Sequence, residues 1–131
     1  MTLSASMNLG IVGVGSPVSQ LVTRTGSRTV DVEEAIASDA ADLQIGFACD
    51  VTATKLLYME SSVALTIETN SSSAPQETIV LAANAPLVWI PGAAGQAAPF
   101  AGDVTTIYVT NDSDPAVAGT LKIKMLDDVT P

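Results

Sequence analysis

The strongest constraint in this chain is a repeated period of two. In "VALTIET", Val63, Leu65 and Ile67 fall on one side, with Thr66 and Glu68 on the other. "TLKIKML" places Leu121, Ile123 and Met125 on one face and Lys122 and Lys124 on the opposite one. "LQIGF" turns Leu43, Ile45 and Phe47 inward, "ETIVL" turns in Ile79 and Leu81, and "DVTTIYVTN" turns in Ile107 and Val109. Successive side chains of a strand point to opposite faces, so each run predicts a strand with one buried and one solvated face. One-sided strands of this kind belong to antiparallel sheets rather than to buried parallel ones.

Three segments are apolar on both faces: "LGIVGV", "KLLYME" and "PLVWI". They predict central strands, or strands covered by another subunit. "TVDVEEAIASDAAD" fits a strand running into a turn or a single helical turn. Between the runs stand "GVGSP", "RTGSR", "ASDAAD", "NSSSAPQ", "PGAAGQAAP" and "NDSDPAVAG", whose Gly, Pro, Asn, Asp and Ser favour turns. Short strands at this spacing predict an all-β fold: an antiparallel β-sandwich or barrel of about eight to ten short strands. No composition shift divides the 131 residues, so residues 1–131 read as one domain, with residues 1–15 an extended N-terminal arm or a first strand.

Composition supports strands and narrows the chemistry. Hydrophobic residues make up 47% of the chain, aromatics only 4% and charged residues 15%, so small and β-branched side chains dominate. The formal net charge is −9, which repels phosphate backbones and anionic bilayers. It argues against nucleic-acid and membrane partners, and fits either solubility or docking onto a basic protein surface. The first residues lack the basic start and apolar core of a signal peptide. No apolar run approaches the roughly 20 residues of a membrane helix. The expectation is a soluble protein made in a cytoplasm.

Catalytic chemistry is poorly provided for. The chain has no histidine and one cysteine, Cys49. That rules out Ser-His-Asp and Cys-His triads and the usual zinc sites. Cys49 lies within the alternation of "LQIGFACD" and reads as a buried thiol, with no internal disulfide possible. Gly13 and Gly15 begin a G-x-G-x-x-G-like run, but Val18 occupies the third position and Pro17 stands where a helix would open. A glycine-rich bend between two strands is the simpler reading. Asn111, Asp112 and Asp114 have oxygen ligands suited to calcium, yet the spacing is not that of an EF-hand, and a hairpin loop explains them better. Glu60 and Glu68 are the carboxylate pair a glycosidase would need, set in ordinary alternating strands. The chain is therefore expected to be no enzyme and to use no cofactor, metal or small-molecule substrate.

From "LLYMESSVALTIETN" through "PLVWIPGAAGQAAPFAGDVTTIYVTN" to "TLKIKML", roughly Leu56–Leu126, the chain resembles the small auxiliary capsid proteins of tailed bacteriophages, the decoration or cement proteins. The resemblance lies in a Tyr-containing strand, an "LTIETN"-type strand, a Ser-rich loop, a strand reaching "PLVW" and a Gly/Ala/Pro loop. It implies a jelly-roll-like β-sandwich, often a homotrimer, on the outer surface of the phage head. There it would bind the major capsid protein and brace the joints between capsomers. The family carries no catalytic residues, and no site is transferred from it. The alternatives are a β-sandwich recognition module for a host receptor or glycan, and a tail or baseplate component.

For a trimer, the two-sided strands are the expected subunit seam: Leu57 and Tyr58 in "KLLYME", and Leu87, Trp89 and Ile90 in "PLVWI". Arg24 and Arg28 flank "TGS" and are candidates to pair with a carboxylate of a partner or of the capsid. Trp89 shares a face with Leu87, which makes it core or seam rather than an open platform, and Phe100 is placed to fold back on the sandwich. Whether the Trp89 face is closed by its own chain or by a neighbour's is left to the tertiary structure.

Overall fold

The computed structural model describes residues 2–92 and 96–128. Gly95, expected to help turn the loop after Trp89, lies outside them. All regular structure among the described residues is strand. In chain order the strands are β1 (Leu3–Ile11), β2 (Val18–Gly26), β3 (Arg28–Ile36), β4 (Leu43–Cys49), β5 (Thr54–Ser61), β6 (Leu65–Thr69), β7 (Thr78–Leu81), β8 (Leu87–Trp89), β9 (Val104–Asn111) and β10 (Gly119–Asp127).

They form two four-stranded sheets, ordered β3-β10-β5-β8 and β4-β9-β6-β7, and a separate ribbon of β1 and β2. Every pairing is antiparallel. Strands adjacent in sequence alternate between the two sheets from β3 to β6 and again from β7 to β10. This is the jelly-roll-like strand order of an eight-stranded double Greek key. "TVDVEEAIASDAAD" is a strand to Ile36 followed by a turn, with no helix.

The core is made by the alternating residues. Leu65, Ile67, Ile107 and Val109 of one sheet face Leu57, Met59, Leu121 and Ile123 of the other, all fully buried. Phe100 folds back into this layer against Phe47, with ring centroids 6.4 Å apart. Buried hydroxyls are satisfied locally: Ser61 Oγ donates to Val63 O (2.6 Å) and Thr54 Oγ1 to Asp50 O (2.8 Å). One expected core residue is not inside. Leu43 is 36% exposed, because it opens the edge strand β4 beside the turn at Asp42, where the facing sheet no longer covers it.

Two asparagines stitch the loops. Asn70, with φ of 66°, donates to Gln76 Oε1 (2.8 Å) and Asp103 O (2.9 Å) and accepts from Thr105 N (2.8 Å). Asn111 donates to Val117 O (2.8 Å) and Ala37 O (3.1 Å), so its side chain is spent on loop geometry.

Candidate interaction surface

The two-sided strands find both of their covers within the chain. Leu57 and Trp89 are paired across β5 and β8 and point into the sandwich core, where Trp89 is 7% exposed. The alternate residues Leu56 and Ile90 point outward, with Leu126 beside them. These three form a second buried cluster, covered by Leu3, Ala5, Met7 and Val22 of the β1–β2 ribbon and flanked by Val88. The apolar character of "KLLYME" and "PLVWI" on both faces is thus explained by core on one side and by the ribbon on the other.

The ribbon is held at its base. Ser27 N donates to Asp127 O (2.9 Å), and a Cβ on Gly26 would collide with that same backbone, so only glycine allows the crossing. Arg28 Nε donates to both carboxylate oxygens of Asp127, at 3.1 and 3.2 Å, and its guanidinium closes the ion pair. The Asp127 side chain is wholly buried. At the far end the glycine run is a bend between the two strands, as expected, with Gly13 and Gly15 at φ of 92° and 60°. Such positive φ values are costly for side chains other than glycine.

Beyond its base the ribbon stands clear of the sandwich. Every residue from Asn8 to Leu21 is exposed, including Leu9 (41%), Ile11 (56%), Val12, Val14, Val18 and Leu21. "LGIVGV" therefore belongs to no central strand. Register places Leu3, Ala5, Met7, Leu9 and Ile11 on one face of β1, with Val22 and Val18 opposite Met7 and Ile11. The first half of this stripe seals the second cluster, and the second half continues past it into solvent. Contiguous exposed apolar surface of this kind marks a site of association.

Charge is divided along the same line. Arg24 is the only charged residue in residues 1–27, and all 14 Asp and Glu lie beyond it. With −9 for the whole chain and +1 from Arg24, the remainder carries −10. On the outer face of β3-β10-β5-β8, Lys124 pairs with Asp31 (3.1 Å), and Lys122 lies in register between Glu33 and Glu60. Beside β1, this face and the ribbon enclose an open groove of about 460 Å³, lined by Ala5, Met7, Val30, Leu56, Tyr58 and Met125 among others.

The residues expected at an interface are therefore scattered. Leu57, Trp89 and Ile90 are closed over by their own chain and offer almost no surface to a second molecule. Leu87 is half-buried against the core. Tyr58 lines the groove, half-buried, and donates to Glu60 Oε2 (2.8 Å), which together with burial raises its phenol pKa. Arg24 lies half-buried on the ribbon, and Arg28 serves the buried Asp127. Glu60 and Glu68 stand on the outer faces of opposite sheets and do not converge. Sequence reasoning allowed for an arm in residues 1–15 but missed its pairing with β2 as a ribbon. The signal for it was present in residues 1–23, which carry no charged side chain.

Comparison with family models, with curated proteins and with solved structures returns no match.

Proposed function

We propose that this chain is a non-enzymatic structural protein of a bacteriophage virion, which binds the outside of the head and braces the joints between major capsid protein capsomers. The observation that carries the reading is the split between a −10 sandwich and an apolar ribbon whose overhang, Asn8–Leu21, carries no charged side chain. A brace needs a contact element that leaves the body of the molecule, and a body that does not adhere to packaged DNA. The jelly-roll-like order, an architecture used in viral capsids among other settings, and the resemblance over Leu56–Leu126 support the same reading. A fold is no proof of function, so the weight rests on the ribbon and the charge. Bracing itself is linkage: a protein that binds only the expanded lattice stabilises it by mass action, and contacts to two capsomers add avidity.

Trp89 lends nothing to a glycan-binding module, because sugar stacking requires an open ring face and Trp89 is enclosed in the core. The test is addition of purified protein to bare expanded heads. Saturable binding at a fixed ratio to capsomers, accompanied by greater resistance of the heads to heating, is the expected result, and salt weakens it only where the acidic face takes part in the contact. Indifference to heads together with binding to host polysaccharide overturns the proposal in favour of the recognition module. Binding to tails alone would assign the chain to the tail or baseplate.

A further inference from the structure

We propose that the chain forms a two-fold symmetric dimer in which β1 pairs antiparallel with β1 of a second copy, each overhanging ribbon lying over the groove of the other. Among the described residues β1 is hydrogen-bonded to β2 alone, so its other edge presents backbone groups that no described strand pairs, and that edge flanks the groove. Exposed edges are usually guarded by charge or proline, and β1 has neither. A two-stranded ribbon exposed on both faces is only marginally stable in water and gains stability from further strands.

The sequence of β1 makes such pairing self-complementary. If Met7 lies opposite the partner's Met7, then Ala5 meets the partner's Leu9 and Leu3 meets the partner's Ile11. Directly opposed residues of an antiparallel pair share a face. All five residues of the apolar stripe then lie on one side of a continuous four-stranded sheet, β2-β1-β1-β2. In this register the overhanging Leu9 and Ile11 come down on the partner's groove, over the ring of Tyr58 and the stem of Lys124 on its outer-face side, and the partner's overhang does the same in return. The contact extends an interface the chain already makes with itself, since Leu3, Ala5 and Met7 pack on this same surface through the same stripe. Electrostatics select the element. Two bodies of −10 repel, and the ribbon is the part that approaches another copy without adding like charge. A two-fold axis satisfies both overhangs at once and leaves no open end. The proposed dimer differs from the trimer that the family resemblance implies.

The mass of the purified full chain by sedimentation, with no heads present, is the first measurement, and a dimer is expected. Under oxidation Met7→Cys should crosslink two copies in high yield. Ser6→Cys, on the opposite face of β1 and facing the partner's Asn8 in this register, should not. Cys49 is buried and does not compete. Ile11→Lys alters an exposed residue, so the fold is kept, as circular dichroism will verify, and the dimer dissociation constant should rise at least tenfold. A monomer or a trimer by mass overturns the proposal. So does a dimer indifferent to Ile11→Lys, or one that Met7→Cys fails to crosslink. Val12 and Val14 of the bend lie beyond the paired segment Leu3–Ile11 and stay exposed for a capsomer contact, so head binding is a separate readout and either proposal can fail without the other.

Discussion

Arg28, the first residue of β3, holds the carboxylate of Asp127, the last residue of β10, in a two-pronged ion pair whose acidic side is wholly buried while the guanidinium side chain keeps 44% of its surface in water. The pair closes the point where the ribbon leaves the sandwich. Hydrogen bonding to Asp127, ahead of other influences, raises the arginine pKa further above its ordinary value, so the guanidinium keeps its charge. Removing the cation leaves a buried carboxylate without its strongest partner. Arg28→Ala is expected to cost about 2 kcal/mol, below the full penalty of a broken buried pair because water can reach the vacated side. Urea denaturation of the variant measures it.

Trp89 gives a direct optical check of the closed core. Its native fluorescence should resist quenching by iodide and become fully quenchable in denaturant. Trp89→Ala removes a large side chain from between two sheets and is expected to destabilise the fold by about 3–5 kcal/mol.

Cys49 should be chemically silent in the native state. Burial raises its thiol pKa, and the nearby Thr54 hydroxyl, 3.4 Å from Sγ, opposes this only in part. A thiol-reactive chromophore should therefore label no cysteine in buffer at neutral pH and one per chain in denaturant.

Glu68 sets a small pH dependence with a definite sign. Desolvation, and then the facing Asp42 carboxyl, raise its pKa above the ordinary 4.5. The folded state thus binds this proton more tightly than the unfolded state does. The stabilisation is complete below the ordinary value and is lost as pH rises through the folded one. Glu68→Gln should slightly raise the melting midpoint at neutral pH, and the gain should disappear near pH 3. Asp50 works in the opposite sense: hydrogen bonds from Thr52 lower its pKa, so its contribution is present at neutral pH and lost on acidification. Asp50→Asn, melted at both pH values, is the matching measurement.

Alternation alone was enough to determine the buried faces of β6, β9 and β10, because a side-chain period of two allows a half-buried strand only one choice of face. Ile67, Ile107 and Ile123 are inside for that reason. The lack of histidine likewise removed whole classes of chemistry before any fold was known. What sequence left open was which surface covers a strand that is apolar on both sides. For Leu56 and Ile90 the cover is Leu3, Met7 and Val22, residues far away along the chain, and no local pattern encodes that contact. Arg28 was equally ambiguous, since a turn arginine and a cap on a carboxylate 99 residues distant look the same in one dimension. Tertiary structure decided these matters because burial is settled by what lies opposite in space. It closed Trp89 within its own chain, and it left Leu9, Ile11 and Val18 of the same apolar stripe beyond the reach of the sandwich.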